Sequence, residues 1–428
     1  VLLSFRVSNH KSIRDEQTLH MQPVYDKSRP ALPVAAIFGA NAAGKSNILD
    51  ALSFAVRAVR ESFSSWTDGI PRTPFRLAPD YAARESTFTL EMQIGDVRYV
   101  YGFSANDERV TEERLHAYPH QRKRLVFERI GQEVKVGRDA KHRAQVELLK
   151  DLMPPTALFL SVAARSDLAE VRPVYKWFSR IEFASATAGV ADEDRILRVM
   201  QTSSIRTRLF DLVRAADLGS TGIGIEYQLS ANAANKVAQQ IRQAMRQAQN
   251  DEPVDEFAIL DGTEGVVRRL VFNFGQYGLG WSDQSRGTQI WLKCLLYTLW
   301  ALDTGAVLVI DEIDSSLHPH LSAQLVRMFR SAKTNPRNGQ LIFTTHDATL
   351  LGRQFGEDIL ARDEVWFVEK DDNYATSIYA LADFKPRKDE NTQRRYLTGS
   401  YGGIPNLFEG DFTDAVDGGF ESSGRVAI

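Results

Sequence analysis

The octapeptide Gly39-Ala40-Asn41-Ala42-Ala43-Gly44-Lys45-Ser46 limits the fold of this chain more than any other stretch. It satisfies the pattern G-x-x-x-x-G-K-[ST], and its flanks are those the pattern needs. Residues 31–38 (ALPVAAIF) form a short apolar run that predicts a buried strand. From Asn47 onward the apolar positions recur at helical spacing. A glycine-rich loop between a strand and a helix can wrap phosphate oxygens with backbone N–H groups, and the helix adds its positive end. Gly39, Ala40, Asn41, Ala42, Ala43, Gly44 and Asn47 are therefore candidate phosphate-loop residues. Lys45 is expected to neutralise β- and γ-phosphate charge, and the Ser46 hydroxyl to coordinate Mg²⁺.

Three further segments take their meaning from this loop. Residues 306–310 (AVLVI) run into Asp311-Glu312, so a strand buried on both faces should carry two acids to the carboxyl edge of a parallel sheet. Asp311 is expected to hold Mg²⁺ through water, and Glu312 to orient or deprotonate an attacking water. Alone, the pair would read equally well as a solvated strand end. The second segment, Thr345-His346-Asp347, follows the apolar strand 341–343. His346 by itself suggests a capping or core histidine, but beside a phosphate loop it is placed to sense a γ-phosphate. The third, residues 282–289 (SDQSRGTQ), opens a predicted helix over 290–300. It is either an ordinary Ser/Thr cap or a second anion site. A chain that already has one phosphate-binding helix end has use for another if it faces the nucleotide of a second subunit.

In order these are phosphate loop, signature, acidic strand, D-loop and switch histidine, and the series resembles ABC-type ATPases of the SMC/RecF/OLD group. Residues 5–13 (FRVSNHKSI) resemble the first strand of that group, and Asn47 its trailing asparagine. Residues 311–319 (DEIDSSLHP) resemble its Walker B and D-loop. The match sharpens to the small prokaryotic ATPases of the RloA/AbiLi type and the ATPase of the PARIS anti-phage system. It does so on residues 283–289, 365–370 (VWFVEK), 381–384 (LADF) and 401–405 (YGGIP). The resemblance implies an α/β fold: an ABC-ATPase head with a P-loop parallel sheet, an antiparallel β lobe and an inserted helical lobe. It implies ATP and Mg²⁺ as ligands, ATP hydrolysis, and a homo-oligomer that is a dimer at the ATP sites, with assemblies up to a hexamer known in kind. Ser285, Arg286 and Gly287 would then face the partner's γ-phosphate, and Asp314 the partner's site. Arg286 stands where the usual signature has glycine, and Gln93 is the candidate for the Q-loop.

The rest of the chain sets limits. Antiparallel strands are expected over about 85–140, helices over about 143–250, and alternating strands and helices after 265. The expected division is 1–142, 143–262, 263–408 and a tail 409–428. Net charge is −3, which excludes a basic global field, so DNA would need a local patch such as 120–124 (HQRKR) with Arg129, Lys135, Arg138, Lys141 and Arg143. Interleaved acids, among them Glu112, Glu113, Glu128 and Glu133, make a solvated hairpin the alternative. One cysteine, Cys294, excludes a disulfide framework and suits a cytoplasmic protein. The longest apolar stretch, 288–310, is broken by Thr304-Gly305 and reads as buried helix, turn and strand rather than a membrane span. OLD relatives carry a nuclease domain, for which fewer than 60 residues after Lys370 leave no room. The resemblance therefore points to a separate effector protein, with a phage-derived trigger as a further partner. A RecF-like DNA-maintenance role is the alternative.

Overall fold

A computed structural model describes residues 1–138, 141, 143–185, 190–200, 203–247, 259–260, 262–387, 390–405 and 413. The tail expected from 409 lies, apart from 413, outside the described residues. The chain starts with β1 (Leu2–Ser8), β2 (Gln17–His20), β3 (Val34–Gly39) and helix α1 (Lys45–Ser65), as its first 60 residues suggest. Five antiparallel strands follow: β4 (Ser86–Ile94), β5 (Val97–Ala105), β6 (Val110–Tyr118), β7 (Arg124–Ile130) and β8 (Glu133–Val136). With β1 and β2 they make a seven-stranded sheet in the order β2-β1-β4-β5-β6-β7-β8.

The central sheet is assembled from distant parts of the chain. Its strands are β9 (Ile181–Ser185), β13 (Val307–Asp311), β14 (Gln340–Thr345), β3, β17 (Val365–Lys370) and β18 (Thr376–Ala380). The order is β18-β17-β3-β14-β13-β9, parallel throughout except for β18. All six residues of β3 and of β14 are buried, which explains their lack of alternation. A third sheet, β10-β11-β12, joins Gly222–Leu229, Val266–Phe274 and Tyr277–Gly280. A two-residue hairpin pairs β15 (Arg353–Gln354) with β16 (Glu357–Asp358).

Two cores hold these layers. One fills the space between the antiparallel sheet and the central sheet, with Ile48, Leu52 and Val56 of α1 and Phe159 and Phe178 of two short helices at its middle. The other covers the opposite face of the central sheet. The helices Arg286–Thr304 and Pro319–Arg330 and the rings of Tyr396 and Tyr401 pack there. The stretch 288–310 is a buried helix stopped by left-handed Gly305, followed by β13. No helix among the described residues is long and apolar enough to cross a membrane.

The mostly helical reading of 143–250 needs amendment. It hides β9, which pairs in parallel with β13, and β10, which pairs with β11. Both strands get their partners from sequence well away from them, a tertiary effect that local pattern does not carry. Arg129 and Glu113 also depart from the solvated-hairpin and basic-patch readings. Both are buried, 3.7 Å apart. The Glu113 carboxylate accepts from the amides of Phe159 (2.6 Å) and Leu160 (2.9 Å) and from the Tyr101 hydroxyl (2.9 Å). Burial pushes the Glu113 pKa up against the pull of Arg129. This joint fastens the antiparallel sheet to the helix Phe159–Arg165, and it removes Arg129 from any surface that could meet a phosphate backbone.

Candidate functional site

The parallel register of β17, β3, β14 and β13 brings four strand ends together at one edge of the sheet. A cleft of about 510 Å³ opens there, lined by Asn41, Ala42, Gly44, Lys45, Ser46, Asn47, Glu312, His346 and Lys370. The loop from Gly39 to Gly44 is held by what crowds it. A Cβ on Gly39 would lie 2.4 Å from the carbonyl oxygen of Val368, so only glycine lets β17 pass so close. Gly44 caps α1 at φ 106°, and a Cβ there would lie 2.2 Å from Thr376 Oγ1. Thr376 Oγ1 donates to the Ala43 carbonyl (3.0 Å) and lies 2.6 Å from Ser12 Oγ, which also accepts from Asn47 Nδ2 (2.6 Å). The turn between β1 and β2, through Ser12, and the start of β18, through Thr376, thereby clamp the loop from outside the motif.

Lys45 is buried, with its ammonium donating to the carbonyls of Gly39 (2.8 Å) and Ala40 (3.0 Å) and lying 3.3 Å from His346 Nδ1. Burial lowers its pKa, while Glu312, Asp311 and Asp314 oppose the shift. Ser46 Oγ donates to Asp311 Oδ1 at 3.1 Å. The same oxygen accepts from Thr344 Oγ1 at 2.5 Å, and the Glu312 amide donates to Thr344 Oγ1 at 2.7 Å. Glu312 sits in the left-handed region, φ 53°, a strained state for a glutamate that this hydroxyl helps to hold. The Asp314 carboxylate accepts from the His346 amide at 3.3 Å. Ser46 and Asp311 offer hard oxygen donors side by side, the chemistry Mg²⁺ takes. Mg²⁺ bound there would take its remaining ligands from water and phosphate oxygens.

Ser285 caps the helix Arg286–Thr304, accepting from the Thr288 amide at 3.1 Å. Ser285 and Arg286 are exposed, and none of Ser285, Arg286 and Gly287 lines the cleft of their own chain. Gly287 lies against the segment after Glu312: a Cβ on it would lie 2.7 Å from the carbonyl oxygen of Ser316. Gln93 is in the wrong place for a Q-loop. Its amide bonds to the Val1 carbonyl, and neighbouring Leu2 bonds to the side chain of Gln340 at the start of β14, opposite the cleft. Thr344, Ser12, Thr376 and Lys370 escaped the sequence reading. The one sequence signal for them is the doublet Thr344-Thr345 at a strand end, which sets hydroxyls at the same sheet edge as the acids.

A phosphate loop on a buried parallel strand, with two acids at the end of a strand of the same sheet, defines a P-loop ATPase of α/β class. Residues 34–151 and 162–352 match the family described as "AAA domain, putative AbiEii toxin, Type IV TA system", and the chain belongs to that family. A chain in the crystal structure of the SmcHead bound to the C-winged helix domain of ScpA is similar at 15% identity. The alignment covers 90% of this chain and 99% of that one, with a TM-score of 0.40. No curated protein matches the sequence significantly.

Proposed function

We propose that this protein hydrolyses ATP with Mg²⁺ at sites shared between two copies of the chain. In this reading the pairing is a nucleotide-gated switch that restrains or releases a separate effector in anti-phage defence. The observation that carries the shared site is the exposed Ser285 cap, a helix N-terminus offered to solvent and lying outside the cleft of its own chain. Lys45 and the loop amides hold the triphosphate, with Ser46 and Asp311 at the metal. Glu312 orients or deprotonates water, and His346, next to Lys45, reads the γ-phosphate. A metal there would neutralise phosphate charge. Ser285, Arg286 and Gly287 of the second copy close the site, with its Asp314 alongside.

The defence role rests on the family match, whose description names a toxin–antitoxin system, and on the RloA/AbiLi- and PARIS-like motifs at 365–370, 381–384 and 401–405. The effector best suited to such a pair is a Toprim-like nuclease on its own chain. Co-expression with the adjacent gene product and purification with and without Mg-ATP tests it. The expected result is an effector retained in one nucleotide state and released in the other. No co-purification, together with tight, steeply salt-dependent binding of gapped DNA, would replace the switch with a DNA-maintenance ATPase.

A further inference from the structure

The cleft contains a cation, Lys370, that lies outside the phosphate loop, the acidic strand and the histidine segment. Strand β17 alternates its side chains between the two cores: Val365 and Phe367 belong to the one that holds Tyr396 and Tyr401, whereas Trp366 and Val368 belong to the one that holds α1. Glu369 continues the first row, where its carboxylate accepts from the Gly403 amide at 3.3 Å. Lys370 continues the second row, on the side of the sheet where the core with α1 lies. Register fixes how far along it stands. Val368 is level with Gly39, so Lys370 lies two residues past the point where β3 turns into the phosphate loop. Its side chain reaches the cleft lined by Asn41, Ala42 and Gly44.

The charges explain what a second cation does there. Asp311, Glu312 and Asp314 all act on Lys45, so the one motif lysine faces three carboxylates. A polyphosphate entering that field meets repulsion from the three carboxylates, which a further ammonium beside the loop lessens in addition to Lys45, the helix end and the metal. Other basic side chains nearby are engaged: Lys11 with Asp50 at 2.9 Å, and Arg14 with Asp15 at 2.9 Å. Lys370 is exposed, and no ion pair holds its ammonium among the described residues.

We infer that Lys370 is a nucleotide-binding residue of the same chain's cleft, donating to the polyphosphate from the β17 side of the loop. This rests on the cleft being the nucleotide site. Binding of a fluorescent ADP analogue to the full chain, with Mg²⁺, tests it without requiring pairing of two copies. Lys370→Ala should raise Kd roughly three- to tenfold, as an exposed charge-assisted contact would. Lys370→Glu should raise it further, and Lys370→Arg should restore most of the affinity. The difference between wild type and Lys370→Ala should shrink as salt rises, and the melting midpoint without nucleotide should not move. Wild-type ADP affinity in both Lys370→Ala and Lys370→Glu overturns the inference. So does a defect confined to ATP-driven pairing, which would put Lys370 on the partner-facing surface. Lys45→Ala is the control: if it too binds like wild type, the assignment of the cleft itself has failed.

Discussion

Replacing Thr344 by valine removes one hydroxyl from the centre of the acidic edge and keeps the shape of the side chain. Thr344 is fully buried, so no water can take the place of its Oγ1. Two hydrogen bonds go: the one accepted from the Glu312 amide at 2.7 Å and the one donated to Asp311 Oδ1 at 2.5 Å. A neutral bond of the first kind contributes about 1 kcal/mol, and one to a carboxylate about 1.5–3 kcal/mol. Thr344→Val should therefore lose about 2.5–4 kcal/mol, read as a lower urea midpoint with little change in m. The kinetic effect should exceed that of a generic core change. The Glu312 backbone is held at φ 53°, and without its anchor the carboxylate leaves the place from which it meets water. Turnover should fall by about tenfold or more, each 1.4 kcal/mol of misplacement counting as one decade. Thr345→Val is the control, since it loses only the bond from the Asp347 amide and touches neither acid. A Thr344→Val protein within about 0.5 kcal/mol of wild type and with normal turnover would refute the reasoning.

Two other changes test separate parts of the site. Glu312→Gln should keep nucleotide binding, hydrolyse poorly and accumulate paired chains with Mg-ATP; wild-type turnover in a steady-state phosphate-release assay would remove Glu312 from catalysis. Asp50 tests the base of α1. Burial works against its ionisation, but hydrogen bonds from His10 (2.7 Å) and Lys11 (2.9 Å) hold its pKa down at about 2. A depressed carboxylate contributes stability above its unfolded pKa of about 3.9 and loses it as pH falls through its folded value. Asp50→Asn should thus be less stable than wild type at pH 7 in thermal melts, with the gap closing between about pH 4 and pH 2; a gap independent of pH would contradict the ion-pair account.

What could be read in the sequence was local. Gly39 to Ser46, Asp311-Glu312 and the Ser285 cap each carry their chemistry in a contiguous stretch next to a strand or helix of clear period. The antiparallel strands from 86 to 136 were equally plain because their alternation is half buried. The parts that were not legible depend on distant partners. Ser12 and Thr376 reach the phosphate loop only because the β1–β2 turn and the start of β18 fold back on it, and they are unremarkable hydroxyls in their own segments. Strand β9 shows as a strand only beside β13, and Gln93 misleads because a glutamine near the end of an antiparallel strand says nothing about which end of the central sheet it lies against. Glu113 and Arg129 looked like surface charge because their mutual burial is set by a helix some 30 residues further on.

Mixing two disabled chains tests the shared site most directly. Lys45→Ala removes the phosphate-loop cation, and Ser285→Arg blocks the cap, so each protein alone should be nearly inert. In a mixed pair, the Ser285→Arg chain offers an intact phosphate loop to the intact cap of the Lys45→Ala chain. Random pairing across a two-fold interface should then restore about a quarter of wild-type ATPase activity. A mixture no more active than its separate components would contradict a site built from two copies.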